Sequence, residues 1–96
     1  MESMFRVEVH PRVLKLAPKV LKPAHLRKFR NFLKELPEKP IPDGYDVRPL
    51  TNLKFYGCDS YRLRLGDYRL LYAVNWNEKV VYVVRLEPRG KAYKKR

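Results

Sequence analysis

The chain has one cysteine and no long apolar run, and both scarcities exclude classes of protein. Because Cys58 is the only cysteine among the 96 residues, the domain cannot contain an internal disulfide and suits a reducing compartment. No apolar run approaches the ~20 residues that a transmembrane helix needs, and the opening residues lack the apolar core of a signal peptide. We therefore expect a cytoplasmic protein without a membrane partner.

Residues that bind metals or phosphate groups in common motifs are also scarce. His10 and His25 lie far apart and form no metal-ligand spacing, and His10 is better placed to cap the corner between the first strand and the helix. Asp43, Asp46 and Asp59 fall in predicted loops, without the paired arrangement of metal-dependent nucleases. We predict neither a metal nor another cofactor, so any catalysis would depend on Arg, Tyr and Lys.

The abundant feature is positive charge. Lys and Arg total 22 against 10 acidic residues, which gives a net charge of +12. So dense a charge on one small domain predicts attraction to a polyanion, above all nucleic acid. The alternative is a solvated basic surface without a polyanionic partner. With 45% hydrophobic residues, the chain can fold as a single domain over residues 1–96.

The order of predicted elements gives the fold class. A strand with alternating apolar residues comes first, and a helix beginning at Pro11 follows it, with a break expected near Ala17 because Pro18 comes next. A second helix begins at Pro23, and a proline-rich loop then runs as far as Pro49. Leu53, Phe55 and Tyr56 either begin the next sheet element or pack beneath it, and three strands linked by hairpins complete the domain. We predict an α+β fold, with an antiparallel-rich sheet of four strands, two N-terminal helices on one face, an open basic face, and a basic tail or short helix at residues 90–96.

The segment YRLRLGDYRLLY, residues 61–72, predicts a β-hairpin that brings arginines together. Gly66-Asp67 forms a two-residue turn, which sets Arg64 opposite Arg69 and Arg62 opposite Leu71. All three arginines then project from the face opposite the helices. Like charges directly opposite each other on neighbouring strands are destabilising, so this arrangement favours a role in binding an anion.

The position of Arg85 depends on the next turn. A three-residue turn at 76–78 would set Arg85 opposite Arg69, on the same face as the other arginines. A two-residue turn would set it opposite Leu70 and bury an unpaired guanidinium, which is costly. The first arrangement is therefore the prediction.

Acidic residues are expected at the ends of these strands and not among the arginines. Asp67 and Glu87 both take such positions in the predicted pairing. Arg89 and Tyr93 would lie near the rim of the same face, where Tyr93 could either pack on the core or stack on a base.

The hairpin and the strand after it resemble a known family. The segments GCDSYRLRLGDYRLLYAV and EKVVYVVRLEPRGKAY are similar to the core of the RelE/ParE toxin superfamily, and specifically to RelE-type mRNA interferases. The matching motifs run in the family's order, and because the order of the predicted strands and helices matches as well, the resemblance spans nearly the whole chain. They are Phe55–Gly57, Tyr61–Arg64, Tyr68–Tyr72 and Arg89–Tyr93.

The resemblance implies a toxin of a type II toxin–antitoxin system. Such a protein cleaves mRNA in the ribosomal A site without a metal, by attack of a ribose 2′-OH on the adjacent phosphate, and a cognate RelB-type antitoxin restrains it. The alternatives are a ParE-like toxin that inhibits DNA gyrase without cutting RNA, and a basic RNA-binding module.

The resemblance also implies roles for individual residues. Arg62 and Arg64 match basic positions that bind phosphate and help to activate the nucleophile, and Arg69 matches the residue that stabilises charge on phosphorus. Well-known bacterial members have lysines at the first two positions, and an arginine effectively cannot lose its proton. The remaining predicted site residues are Arg85, chosen for its position; Arg89, for the leaving group; Tyr93, for base stacking; and Lys91 and Lys94, for RNA binding.

Overall fold

The computed structural model describes residues 4–89, which form two helices and five strands. In chain order they are β1 (Arg6–Val9), α1 (Pro11–Val20), α2 (Pro23–Glu35), β2 (Val47–Phe55), β3 (Cys58–Leu65), β4 (Tyr68–Asn75) and β5 (Val80–Pro88). The predicted tail at 90–96, with Lys91, Tyr93 and Lys94, lies outside the described residues. No helix within the described range is long and apolar enough to cross a membrane.

All five strands belong to one mixed sheet, so the prediction of four strands is wrong. The strand order is β1-β5-β4-β3-β2, and β1 pairs in parallel with β5 while every other pair is antiparallel. The missed strand is β2, which includes Pro49 although the proline-rich segment was expected to be a loop. Because β2 lies at the edge of the sheet, the missing N–H of a proline is tolerated there.

Helix α1 begins as predicted and ends later than predicted. The His10 Nδ1 atom accepts a hydrogen bond from the backbone N–H of Arg12 (3.1 Å), which caps the first turn. The predicted break at Ala17 is wrong, because the helix continues through Pro18 as far as Val20. Pro18 lies on the exposed side of the helix near its end, where water can satisfy the carbonyl that loses its donor.

The core lies between the two helices and one face of the sheet. Phe29 and Phe32 of α2 are buried against strand residues that include Leu63 and Tyr72. The Tyr72 hydroxyl donates a hydrogen bond to the Pro40 carbonyl (2.8 Å). The helices therefore cover one face, as expected, and the opposite face of the sheet is called the open face below.

Candidate functional site: an arginine cluster on the open face

The β3–β4 hairpin has the predicted register. Gly66 has a positive φ of 64°, which allows the two-residue turn with Asp67. Arg64 lies opposite Arg69, and Arg62 lies opposite Leu71. Since the neighbouring strand positions Leu63 and Leu70 are buried in the helix-side core, the three arginines are on the open face.

The predicted register of β5 is wrong. The β4–β5 turn spans residues 76–79, one more than predicted, and Arg85 lies opposite Leu71 instead of Arg69. A β-bulge at Val84 interrupts the pairing between these strands. The extra residue of a bulge changes the side of the sheet to which later residues point. The longer turn and the bulge each shift the register by one residue, so Arg85 still lies on the open face.

Arg85 and Arg62 lie on either side of Leu71, so the open face carries a row of arginines across three strands. Arg48 of β2 extends the row, because it lies opposite Arg62. Arg48 was absent from the predicted site, since its segment was expected to be a loop. The term arginine cluster is used below for Arg48, Arg62, Arg64, Arg69 and Arg85.

Glu87 lies within the arginine cluster, which corrects the expectation that acids would stay outside it. Glu87 is directly opposite Arg69, and its Oε2 accepts from Nη2 at 2.7 Å and from Nε at 2.8 Å. Its Oε1 lies 3.7 Å from Nη1 of Arg85. The carboxylate therefore offsets the repulsion that two opposed arginines would otherwise produce.

A second acid anchors the other end of the row. Arg62 Nη1 donates to the Asp46 carbonyl at 3.1 Å and lies 3.4 Å from its Oδ1. The same carboxylate oxygen is 3.8 Å from Nε of Arg48. In contrast, the side chain of Arg64 is exposed, and no ion pair joins it to another residue in the described range.

The cluster therefore contains both held and accessible guanidinium groups. The side chains of Arg62 and Arg69 are each 20% exposed, whereas that of Arg85 is 56% exposed. Held groups lose little conformational freedom when an anion binds. Because guanidinium groups bind phosphate oxygens in a planar, bidentate geometry, the cluster is suited to a phosphodiester.

Arg89 lies beside the cluster and supports the hairpin turn. Its backbone N–H donates to the Asp67 carbonyl at 2.7 Å, and its Nε donates to the Gly66 carbonyl at 3.3 Å. The side chain is exposed at the rim of the sheet. The structure therefore places Arg89 at the tip of the hairpin, while Tyr93, Lys91 and Lys94 stay predictions.

Aromatic side chains adjoin the arginines on the open face. The Phe55 ring centroid lies 5.6 Å from Cζ of Arg85, a distance at which a cation–π interaction is favourable. The rings of Tyr56 and Tyr82 are in contact, with centroids 4.8 Å apart. No group of three or more His, Cys, Asp or Glu residues that could hold a metal occurs in the part of the chain that the structure describes.

Comparison with known proteins shows the family. Residues 2–93 match the family described as the ParE toxin of type II toxin–antitoxin systems. The chain belongs to this toxin family. It is 37% identical over 92 residues to the candidate toxin RelE1 of Methanocaldococcus jannaschii, an alignment that covers 94% of this chain and 96% of the relative.

Solved structures agree with the sequence relationship. The archaeal RelE–RelB complex of Pyrococcus horikoshii contains a chain 42% identical to this one, with a TM-score of 0.72 and coverage of 91% and 97% of the two chains. The RelB–RelE complex of Methanococcus jannaschii shares the fold at 18% identity, with a TM-score of 0.66 and coverage of 93% and 98%. The toxin is therefore of the RelE type, and the superfamily expected from the hairpin motifs is confirmed.

Proposed function

We propose that this RelE-type toxin is a ribosome-dependent endoribonuclease of the cytoplasm that cleaves mRNA in the A site and so inhibits translation. The observation that carries the proposal is the arginine cluster, which lies on the sheet face that no helix covers and includes the exposed side chains of Arg64 and Arg85. Support also comes from the relatives, since the chain is similar to RelE toxins over almost its whole length.

The proposed reaction needs no metal. The ribose 2′-OH gives its proton to solvent water and attacks the adjacent phosphorus, so that a new O–P bond forms and closes a 2′,3′-cyclic phosphate. The bond to the 5′-oxygen of the next nucleotide breaks, and this oxygen takes up a proton from water. Negative charge accumulates on the non-bridging oxygens during this step. Preorganised donors aimed at such charge are a large source of rate enhancement, and the cluster supplies them as guanidinium groups.

Roles within the cluster follow from how each arginine is held. Arg69, fixed by Glu87 in two hydrogen bonds, stabilises charge on phosphorus. Arg62 and Arg64 bind the phosphate and orient it for attack, and Arg85 assists from the other side of Leu71. Because arginine does not act as a base, these residues work by positioning and charge stabilisation.

Arg89 is the proposed partner of the leaving group. Its guanidinium is near the hairpin tip and exposed, so it can donate to the 5′-oxygen as that oxygen gains charge. Tyr93 is proposed to stack on the substrate base, and Lys91 and Lys94 to bind flanking phosphates.

A RelB-type antitoxin is the proposed protein partner. The P. horikoshii and M. jannaschii structures both contain RelE together with RelB. A toxin with a net charge of +12 favours a partner segment of acidic or mixed charge, because electrostatic complementarity speeds association. The other proposed partner is the ribosome with mRNA in its A site.

The test is cleavage of mRNA on purified, programmed ribosomes. Arg64→Ala and Arg69→Ala should each reduce the cleavage rate by roughly 100- to 1,000-fold, as loss of one charge-stabilising donor does in other enzymes. Arg30→Ala is the matched control, because Arg30 is exposed on α2 at the helix side and its loss removes the same charge.

The outcomes separate the alternatives. If Ala substitutions of Arg62, Arg64, Arg69 and Arg85 all left growth arrest intact in folded proteins, the cluster would have no catalytic role. Intact transcripts together with DNA breaks would instead indicate a gyrase-directed toxin. Binding of RNA without any cleavage would indicate an RNA-binding module.

A further inference from the structure

The turn between β2 and β3 contains a tyrosine in an unfavourable backbone conformation. Tyr56 and Gly57 both have positive φ, 56° and 73°, as in the two-residue turns that connect antiparallel strands. Asn-Gly is the preferred sequence for such turns, and a bulky residue with positive φ is a genuine outlier. Backbone strain of this kind is concentrated at functional sites, so the Tyr56 side chain is a candidate for a binding role.

The Tyr56 side chain is exposed and lies against another tyrosine of the open face. Tyr56 is 69% exposed, and its ring centroid is 4.8 Å from that of Tyr82, with 51° between the ring planes. Tyr82 lies opposite Ala73 and Glu8, on the side away from the helices. Neither tyrosine hydroxyl makes a hydrogen bond to any other residue of the described chain.

These rings continue directly from the arginine cluster. Tyr82 and Arg85 are on the same strand, separated by the bulge at Val84, so they are one row of side chains apart, about 7 Å at the usual rise of a strand. Phe55, next to Tyr56 in the chain, lies under the Arg85 guanidinium. The term aromatic patch is used below for Phe55, Tyr56 and Tyr82.

We propose that the aromatic patch binds a nucleobase of single-stranded RNA by stacking on Tyr56, next to the phosphate held by the arginine cluster. The proposal rests on the proposed function, because it assigns a second contact to the same RNA. Aromatic side chains beside a basic groove are a general way to bind single-stranded nucleic acid. Exposed arginines on one side make RNA a better occupant of this surface than an apolar peptide.

The test measures whether binding depends on bases, independently of cleavage. The probes are hexa-adenylate and a ribose-phosphate oligomer of the same length and charge that carries no bases. The wild-type toxin should bind the first more tightly by about 5- to 160-fold, the range that stacking of one base provides. Both probes should weaken together as salt rises, since the phosphate contacts are shared.

The decisive variant is Tyr56→Asn, which introduces the residue that the turn prefers. It should fold with a melting temperature at or above that of the wild type, because Asn adopts positive φ more readily. It should lose the preference for hexa-adenylate and keep the affinity for the base-free oligomer. Tyr56→Phe should keep the preference, because the ring remains. Trp76→Asn is the matched control, because it removes an exposed aromatic residue from another hairpin turn, where the ring packs on Phe5.

The opposite results would overturn the proposal. They are a Tyr56→Asn variant that keeps the wild-type preference, a Tyr56→Phe variant that loses it, or a wild type without any preference. A Tyr56→Asn variant that loses only its affinity for antitoxin would assign the aromatic patch to protein binding and would also overturn it. If the wild type prefers bases but never cuts mRNA on ribosomes, the nuclease function fails while base stacking stands.

Discussion

Removal of the Glu87 carboxylate tests how the toxin tolerates arginines on opposed strands. Glu87→Gln keeps the size of the side chain and deletes its charge. The carboxylate is 24% exposed and makes two hydrogen bonds with Arg69, at 2.7 and 2.8 Å, beside a longer contact with Arg85 at 3.7 Å. We expect the variant to be less stable than the wild type.

The loss of stability depends on how many contacts of the Glu87 carboxylate the amide of the Glu87→Gln variant can still make. Hydrogen bonds to charged groups contribute about 1.5–3 kcal/mol each, but the amide oxygen introduced by Glu87→Gln would still accept one of them, and partial exposure screens the lost charge. The uncompensated repulsion between Arg64 and Arg69 adds roughly 0.2–1 kcal/mol. The free energy of unfolding should therefore fall by about 1–2 kcal/mol, which lowers the melting temperature by roughly 4–16 °C in a domain of this size.

Urea denaturation of four proteins measures the effect. They are the wild type, Glu87→Gln, Arg64→Gln and the double variant, and they form a double-mutant cycle. Removing Arg64 should stabilise the Glu87→Gln background more than the wild type. Without the Glu87 carboxylate the repulsion between Arg64 and Arg69 is not offset, so its removal has the larger effect there. Glu38→Gln is the control for net charge, because Glu38 is exposed and makes no ion pair with a described residue.

Two results would refute this reasoning. A Glu87→Gln variant as stable as the Glu38→Gln control would show that the ion pair does not stabilise the fold. Equal effects of Arg64→Gln in both backgrounds would show that the carboxylate does not offset the repulsion between the strands.

Two further substitutions test the packing beneath the site. Tyr72→Phe removes the buried hydrogen bond to Pro40 and should lower the free energy of unfolding by about 1–2 kcal/mol. Burial raises the pKa of Tyr72, and the neighbouring tyrosine raises it further. The wild type should therefore lose stability as the pH rises past about 10, the pKa of a tyrosine in the unfolded chain. The same decline in the Tyr72→Phe variant would contradict this. Gly66→Ala would bring a Cβ into a clash with the His25 ring, whereas Gly44→Ala meets open space at a similarly positive φ. Thermal melts should show the larger loss for Gly66→Ala, with partial recovery when His25→Ala is added; equal losses at the two glycines would refute the close contact.

The hairpin of β3 and β4 was predictable because two independent signals agree. Alternating apolar residues define its buried face, and the two-residue turn at Gly66 sets which residues are opposite each other. Together the two signals fix how the strands pair, and Arg64 lies opposite Arg69 as predicted.

The register of β5 could not be predicted in the same way. The run VVYVV, residues 80–84, is apolar at successive positions, so alternation does not show where the bulge at Val84 falls. The one-residue error in the turn and the bulge compensate for each other, which is why Arg85 still lies on the open face. The same error hid the pairing of Glu87 with Arg69.

Strand β2 was missed for a different reason. Prolines are typical of loops, and Pro49 is tolerated within β2 because this strand lies at the edge of the sheet, a position that depends on the three-dimensional order of the strands. Arg48 and its contact with Asp46 were lost from the predicted site together with the strand.

The parallel pairing of β1 with β5 has a consequence for how the toxin is made. Arg6 pairs with Val80, so the first strand has no partner until nearly the whole chain has been synthesised. Contacts between residues this distant form late, since the intervening chain must first be ordered. Because β5 also carries Arg85 and Glu87, the arginine cluster is incomplete until this strand has been made. Synthesis of most of the chain thus precedes assembly of the full cluster, and this leaves an interval in which another protein can meet the partly folded chain.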